Sequence, residues 1–228
     1  MSSRSDSNQI TRDYFDSILL ETRYWDSDLP STKMELYGET FETPIMTAAL
    51  SHLHEICDNA MAEFGKGARD AGAVHWVGMG EDEELEQILA TGARTVKIIK
   101  PHREDEVIYH KIRHAVEHGA FAVGMDIDHC FAGNGEYDVV CGLPMHAKTA
   151  SDLENYVKAS SVPFIVKGVL SAKDAEKCVK AGVSGILVSH HHGIMQYAVP
   201  PLMILPEIVK AVDGQIPIFV DCGIESGM

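Results

Sequence analysis

The stretch PFIVKGVLSAKDAEKCVKAGVSGILVSHHHG, residues 163–193, decides the fold. A short apolar run ends in Lys167-Gly168, an amphipathic segment ends in Ala181-Gly182, and a second apolar run ends in Ser189 before three histidines. Strands that are apolar on both faces belong to a parallel sheet covered by helices, because strands facing water would alternate. The glycine after the amphipathic segment suits a helix C-terminus, which favours positive φ. The stretch therefore predicts a strand–helix–strand unit.

The same pattern recurs along the chain from Pro44 onward. No GxGxxG or GxxxxGK[ST] sequence occurs, which argues against a dinucleotide-binding open sheet and a P-loop. Polar residues cluster instead where the strands end, as in TIM barrels, whose active sites lie at the C-terminal strand ends. We therefore predict an α/β fold of the TIM (β/α)8 type. Residues 44–228 form the barrel, and residues 1–43 form a lead-in segment whose helix covers one end of the barrel. The seven predicted strands are residues 44–49, 73–79, 94–100, 120–127, 163–168, 185–189 and 216–221.

Strand counting predicts an incomplete barrel. The seventh strand ends at Asp221 and the sequence ends at Met228, so an eighth strand cannot be read. An open barrel of seven strands would leave two unpaired edges. We therefore expect the chain to be truncated at its C-terminus.

Composition and charge exclude several classes of protein. Of the 228 residues, 45% are hydrophobic and 23% are charged, as in a globular protein. A net charge of −15 repels nucleic acids and anionic lipids, so we expect neither partner. The five cysteines include no CxxC pair, and the N-terminus lacks the apolar segment of a signal peptide. These features predict a cytoplasmic protein.

The second half of the sequence resembles the FMN-dependent α-hydroxy-acid oxidases and dehydrogenases, the family of glycolate oxidase and lactate oxidase. Three strand ends carry the resemblance, namely Lys167-Gly168, Ser189–Gly193 and Asp221–Gly223, together with Leu205–Glu207. Weaker similarity extends back to Thr43–Met46. The resemblance implies an FMN cofactor, oxidation of a small 2-hydroxy acid to its keto acid, and a homo-oligomer, commonly a tetramer.

The resemblance also implies roles for individual residues. His191 corresponds to the base that removes the hydroxyl proton, a task that suits an imidazole, and Asp128 to its orienting partner. Lys167 corresponds to the lysine beside the pyrimidine edge of the flavin; a buried lysine tends to face an anion or an electron-rich ligand. Tyr14 corresponds to a substrate contact, and no metal is implied. Further flavin contacts are expected at Ala48, Ala49, Met79, Lys97, Asp126, Ser189, Asp221 and Gly223.

The sequence departs from the family at several positions. Ile194 replaces the arginine that grips the substrate carboxylate, Ile99 replaces a tyrosine, and Glu225 replaces a phosphate-binding arginine. Aliphatic carbon cannot substitute for a bidentate arginine, so the carboxylate clamp is expected to be absent. Lys97 and Asp126 could form an ion pair or an altered flavin contact.

Several alternatives stay open at this point. His52, His54 and His191, with Lys167 and Asp221, would suit a metal-dependent barrel hydrolase, in which a bound metal activates water. The chain could also bind flavin for another chemistry, or have lost catalysis. In the histidine run, the base could be His190 or His192 rather than His191. A second set of histidines, expected as a solvated helix face but able in principle to hold a metal, comprises His110, His114 and His118.

Overall fold

The elements of secondary structure alternate between helices and strands over most of the chain. A computed structural model describes residues 5–225. In chain order the elements are α1 (Ser7–Ser17), β1 (Met34–Leu36), β2 (Glu39–Phe41), α2 (Ala60–Asp70), β3 (His75–Val77), α3 (Asp82–Ala90), β4 (Thr95–Ile99), α4 (Asp105–Glu117), β5 (Ala122–Asp126), β6 (Val139–Val140), β7 (Leu143–Pro144), α5 (Ala150–Ala159), β8 (Phe164–Val169), α6 (Ala172–Lys180), β9 (Gly185–Val188), α7 (Pro201–Val212) and β10 (Ile218–Val220).

Six of the strands form one parallel sheet. Their order, β10-β9-β8-β5-β4-β3, is the order of the chain, so each strand pairs with its neighbour in sequence. A helix joins each strand to the next, as parallel pairing requires. This stepwise order is that of a TIM barrel wall and confirms the predicted fold class. Within residues 5–225, none of the helices is long and apolar enough to span a membrane.

The strands bury both of their faces. One face packs against the helices, where Ile99, Met125 and Val166 join apolar residues of α3 to α7 in the larger core cluster. The other face turns to the barrel interior, where Ile98 and Ile165 join a smaller cluster. Successive side chains along a strand point to opposite faces of the sheet, so one residue packs against the helices and the next packs in the barrel interior.

The lead-in segment covers both ends of the barrel. As predicted, its first part is a helix, α1, while residues 18–33 have no regular structure. The β1–β2 hairpin places Leu36 and Phe41 in the interior cluster. Tyr37 Oη donates a hydrogen bond to the carbonyl oxygen of Ser184, directly before β9, at 2.8 Å. The hairpin therefore covers the amino ends of the strands.

The predicted first strand at 44–49 is wrong. The segment runs beside β3, but its pairing is a single parallel bridge between Leu50 and Val77. Thr47 explains the irregularity, since its Oγ1 accepts the hydrogen bond from Trp76 N at 2.8 Å that a backbone carbonyl would take in a regular ladder. The other six predicted strands all correspond to strands of the sheet; β8 has the predicted length but is shifted by one residue, and the other five are shorter than predicted.

Candidate active site

Charged side chains meet at the carboxyl ends of the parallel strands. Lys100 follows β4, Asp126 ends β5, and Lys167 lies in the second half of β8. Because the carboxyl ends of barrel strands face the same end of the molecule, these side chains lie close together. Only 8%, 3% and 5% of their respective side-chain surfaces are exposed. The barrel therefore holds three charges in a nearly dry site.

Asp126 lies between two ammonium groups. Its Oδ2 is 2.7 Å from Lys100 Nζ, and its Oδ1 is 3.2 Å from Lys167 Nζ. Burial alone would raise the pKa of Asp126, but the two lysines outweigh burial and hold the pKa below its ordinary value. Burial would likewise lower the pKa of Lys167, but Asp126 and Asp128 outweigh it and raise that pKa. Asp126 and Lys167 are therefore both charged at neutral pH.

His191 lies beside this ion-pair cluster. Its Nδ1 is 3.1 Å from Asp128 Oδ1 and 3.2 Å from Lys167 Nζ. An ammonium can only donate and a carboxylate only accept, so the two neighbours favour opposite tautomers of the ring. With the proton on Nδ1, His191 donates to Asp128 and its Nε2 is free to accept a proton. The pair thus has the geometry of a general base with an orienting carboxylate.

The local backbone fixes this pair. His191 has a φ of +51°, which is uncommon outside glycine, and its backbone N–H donates to Ser189 Oγ at 3.0 Å. Gly168 has a φ of +91°, and a Cβ at this position would overlap the carboxyl group of Asp128. Close approach of Asp128 to β8 therefore requires glycine at position 168.

Gly168→Ala is expected to lower the free energy of unfolding by about 2–4 kcal/mol, because left-handed strain of about 1 kcal/mol adds to a packing clash of about 1–3 kcal/mol. The matched control is Gly119→Ala, since Gly119 has a φ of +86° and nothing within 4 Å of the added Cβ. Urea denaturation measures both variants. Equal losses in the two variants would contradict the close packing of Asp128.

The structure separates the three consecutive histidines. His190 is buried: its Nε2 is 2.8 Å from Thr11 Oγ1, and its Nδ1 accepts from Gly193 N at 3.0 Å. Burial lowers the pKa of His190, so its role here is that of a neutral structural residue. His192 is exposed. Of the three, His191 is the one that faces the carboxylates.

Helix α1 is tied to the loop after β9. Besides the Thr11–His190 contact, Asn8 Nδ2 donates to the carbonyl oxygen of His192 at 2.9 Å. Gly193 allows this approach, because a Cβ there would meet the Asn8 side chain at 2.7 Å. Tyr14, the predicted substrate contact, is half-buried on the same helix. The helix therefore places Tyr14 at the end of the barrel that carries the charges.

A cavity of about 360 Å³ opens beside His191. On one side it is bounded by the loop after β5, in which His129 Nδ1 lies 3.0 Å from Asp138 Oδ2. The rings of His129 and His191 are 4.6 Å apart. The lining is mixed, with imidazoles next to apolar groups: His129, Phe131, Ala132, Gly133, Asp138, His191, His192, Gly193 and Ile194.

The structure corrects the expected role of Lys97. Lys97 Nζ donates to the carbonyl oxygen of Gly78 at 2.6 Å, and the charges around it belong to α3 and α4. Burial lowers its pKa to about 8. The predicted ion pair of Lys97 with Asp126 does not form, because Lys97 lies on the strand face toward the helices, and Ile99 shares that face. Besides Lys167, the partner of Asp126 is Lys100, which the sequence reasoning missed although it ends an apolar run as Lys167 does.

The remaining predicted flavin contacts lie around the same end of the barrel. Ser189 is buried, and Asp221 continues the β10 register, its N–H donating to the carbonyl oxygen of Val188 at 3.2 Å. Gly223, with positive φ, lies against Thr11 of α1. Ala49 and Met79 are half-buried and Ala48 is exposed, on segments that contact each other beside β3.

The alternative metal site with His52 and His54 is not formed. Both histidines are exposed, with their ring centroids 5.9 Å apart. Among the described residues, two groups of His, Cys, Asp or Glu could hold a metal, and neither contains His52 or His54. One of them is Asp126, Asp128 and His191, in which the Asp126 carboxylate already pairs with Lys100 and Lys167.

The fold and the site together define the class: the chain is a parallel α/β barrel protein with a His–carboxylate pair and a buried lysine at the ends of its strands. The family model described as FMN-dependent dehydrogenase matches residues 2–153 and 145–228. The chain belongs to this family.

Several characterised proteins are similar to the chain. A 4-hydroxymandelate oxidase from Amycolatopsis orientalis is 25% identical over 86% of this chain and 65% of its own length. An L-lactate oxidase from Roseobacter sp. (strain GAI101) is 41% identical over 41% of this chain and 26% of its own length. A mandelate oxidase structure with a C4a-OH-FMN adduct has a TM-score of 0.86 and 25% identity, covering 99% of this chain and 73% of the other. The chain thus spans about a quarter to two-thirds of these two curated relatives.

Proposed function

We propose that the chain carries the active site of an FMN-dependent oxidoreductase that converts a 2-hydroxy acid to its 2-keto acid. The observation that supports this proposal most strongly is the position of His191, with Nδ1 3.1 Å from Asp128 and 3.2 Å from Lys167 at the strand ends. This places a proton acceptor beside a buried cation. The similar lactate and 4-hydroxymandelate oxidases, by their names, act on such acids.

The residues at the strand ends fit the ring of a flavin. Lys167 is a buried ammonium that can stabilise negative charge on an electron-rich ring. Asp128 Oδ2 is buried and has no hydrogen-bond partner among the described residues, so it can accept from a bound molecule. At the position expected to contact the phosphate, Glu225 is exposed and carries the wrong charge. The fit to FMN therefore rests on the residues that would contact its ring, and not on those that would contact its phosphate.

The chain's own residues would move the proton. His191 Nε2 accepts the proton of the substrate hydroxyl, while its Nδ1–H donates to Asp128. The carboxylate then stabilises the imidazolium that forms. FMN, when bound, supplies the two-electron acceptor for the substrate carbon. Lys167 stabilises negative charge that develops in the dry site, where electrostatic effects are stronger than in water.

The cavity beside His191 indicates how the substrate carboxylate would be held. Neither arginine nor lysine lines it among the described residues, and Ile194 stands at the position where the family has an arginine. The imidazoles that line it offer weaker contacts than a guanidinium, and His129 already directs its Nδ1–H at Asp138. We propose that the substrate is a 2-hydroxy acid bound more weakly than with an arginine clamp, and that apolar substituents contact Phe131 and Ile194.

Ile194→Arg is expected to raise kcat/KM for 2-hydroxy acids about tenfold or more, because a bidentate guanidinium–carboxylate pair adds both energy and orientation. Position 194 is 39% exposed, so the longer side chain can be accommodated. Steady-state rates with lactate and mandelate measure the effect. Met195→Arg, on the exposed neighbour, is the control. An equal gain in both variants would show that general positive charge, rather than a clamp, is responsible.

The activity itself is tested by adding FMN to the purified protein and measuring keto-acid formation from lactate, glycolate, mandelate and 4-hydroxymandelate with an artificial electron acceptor. We expect a keto acid from at least one of these substrates. FMN bound without keto acid from any of them would overturn the proposal and favour a flavin barrel with another chemistry.

The cellular setting is also proposed. All five cysteines are free, two of them buried, which is consistent with a reducing compartment such as the cytoplasm. A homotetramer is proposed from the family resemblance.

A further inference from the structure

A histidine cluster lies on the outer helices, away from the strand-end site. His110, His114 and His118 repeat every fourth residue along α4 and its C-terminal cap, so they share one helix face. Asp82 and Glu86 have the same spacing on α3 and point at these histidines. The α3/α4 cluster is defined here as these five residues. It joins two neighbouring helices through side chains that are common metal ligands.

Three atoms of the α3/α4 cluster have the spacing of a metal site. Glu86 Oε1 is 3.0 Å from His114 Nε2 and 3.5 Å from His118 Nε2. Bonds of about 2.0–2.1 Å in a tetrahedral zinc site place ligand atoms about 3.3–3.5 Å apart. We propose that Glu86, His114 and His118 bind one divalent transition-metal ion of the Zn²⁺ class, which links α3 to α4.

The second ring nitrogens support this arrangement. His118 Nδ1 is 2.8 Å from the carbonyl oxygen of His114, a contact that requires the proton on Nδ1 and leaves Nε2 free as a ligand. His114 Nδ1 is buried, has no hydrogen-bond partner within residues 5–225, and lies 3.9 Å from Asp82 Oδ1. A small rotation would let His114 Nδ1–H donate to Asp82. Such hydrogen bonds hold the rings of metal-bound histidines in zinc sites.

A purely solvated helix face does not account for the cluster. Only 11% of the His114 side chain is exposed, and its ring centroid is 4.2 Å from that of His118. Both rings and the Glu86 carboxylate converge on one point, as the ligands of a single metal ion do.

The surroundings favour entry of a cation. A cavity of about 550 Å³ borders the α3/α4 cluster at Asp82 and His110, and its lining holds four acidic residues, Glu81, Asp82, Glu83 and Glu106, against two cations, Lys111 and Arg113. Two imidazoles and one carboxylate suit Zn²⁺, Co²⁺, Ni²⁺ or Cu²⁺ better than Mg²⁺ or Ca²⁺, which prefer oxygen ligands. The fourth ligand would be water from the solvent side.

The test uses the full chain titrated with Co²⁺ and Zn²⁺, with calorimetry for stoichiometry, visible absorption for cobalt geometry and Tm for stabilisation. We expect one ion per chain, tetrahedral-type cobalt bands without thiolate charge transfer, and a Tm that rises with Zn²⁺ concentration. Glu86→Gln and His118→Ala should each weaken binding more than tenfold. Asp82→Asn should weaken it about 10–100-fold, as loss of an orienting partner does.

Matched controls identify the site. Glu83→Gln lies on the same helix, and His54→Ala removes another exposed histidine; both should bind Zn²⁺ as the unchanged chain does. Circular dichroism checks that every variant is folded, and positions 86 and 118 are 46% and 40% exposed, so folding should persist. Unchanged affinity in both Glu86→Gln and His118→Ala would overturn the proposal. So would loss of the ion in His191→Ala or Cys57→Ser instead, since the ion would then bind elsewhere.

Discussion

Replacing His191 with Asn is expected to slow reduction of bound FMN by a 2-hydroxy acid by about 10²–10⁴-fold, the range typical for removal of a general base. Asn retains a polar side chain near Asp128 but has no nitrogen that accepts the hydroxyl proton. FMN binding should persist, because Lys167 and Asp126 remain. Stopped-flow absorbance under anaerobic conditions measures the rate.

The matched control for this variant is His192→Asn, which changes the adjacent and exposed histidine. We expect its reduction rate to stay within a few-fold of the unchanged chain. His190→Asn should instead lower stability, because it removes the contact with Thr11. An unchanged rate in His191→Asn would show that the base lies elsewhere.

The second large effect is expected from Asp126→Asn, which should lower the free energy of unfolding by about 3–5 kcal/mol. Removing one partner of a buried ion pair leaves an uncompensated charge, and here two ammonium groups, Lys100 and Lys167, lose their shared carboxylate. Asp70→Asn is the control, since Asp70 pairs with Arg69 on the surface with 60% of its side chain exposed. Exposed pairs contribute about 0–1 kcal/mol. Urea unfolding at neutral pH compares the two variants, and equal losses would contradict a buried ion-pair cluster.

The pH dependence of stability follows from the same residue. The pKa of Asp126 is lower in the folded chain than its ordinary value of about 3.9. The unfolded chain therefore binds the proton first, so the stabilisation is present above about pH 4 and is lost as the pH falls toward the folded pKa. Asp126→Asn should remove this part of the acid dependence, and Asp70→Asn should not.

The fold was predictable because its pattern is local and repeated. Apolar runs, helix-ending glycines and polar strand ends indicate a parallel α/β barrel, and six of the seven predicted strands form the sheet. The segment at 44–49 could not be predicted correctly, since the side chain of its own Thr47, and not a backbone carbonyl, accepts the hydrogen bond of Trp76 N, 29 residues further along the chain. The contacts of α1 with the loop after β9 span more than 170 residues and leave no local signal.

The sequence showed which strand ends carry the polar residues of the candidate site, but it did not show which face of its strand each side chain occupies. β4 is apolar around Lys97, so the sequence does not show which face Lys97 occupies. The structure shows that the interior face holds Val96 and Ile98, which places Lys100 beside Asp126. By contrast, His191 and Asp128 were identified by family resemblance, and only the three-dimensional arrangement gives the physical reason, namely the hydrogen-bonding distance between them.

Anaerobic mixing of the FMN-loaded chain with a panel of 2-hydroxy acids tests the central claim most directly. We expect the absorbance of oxidised flavin to bleach with at least one acid, with one keto acid formed per flavin. The His191→Asn variant should lose this bleaching while keeping its flavin. Bound flavin that stays oxidised with every acid in the panel would contradict it.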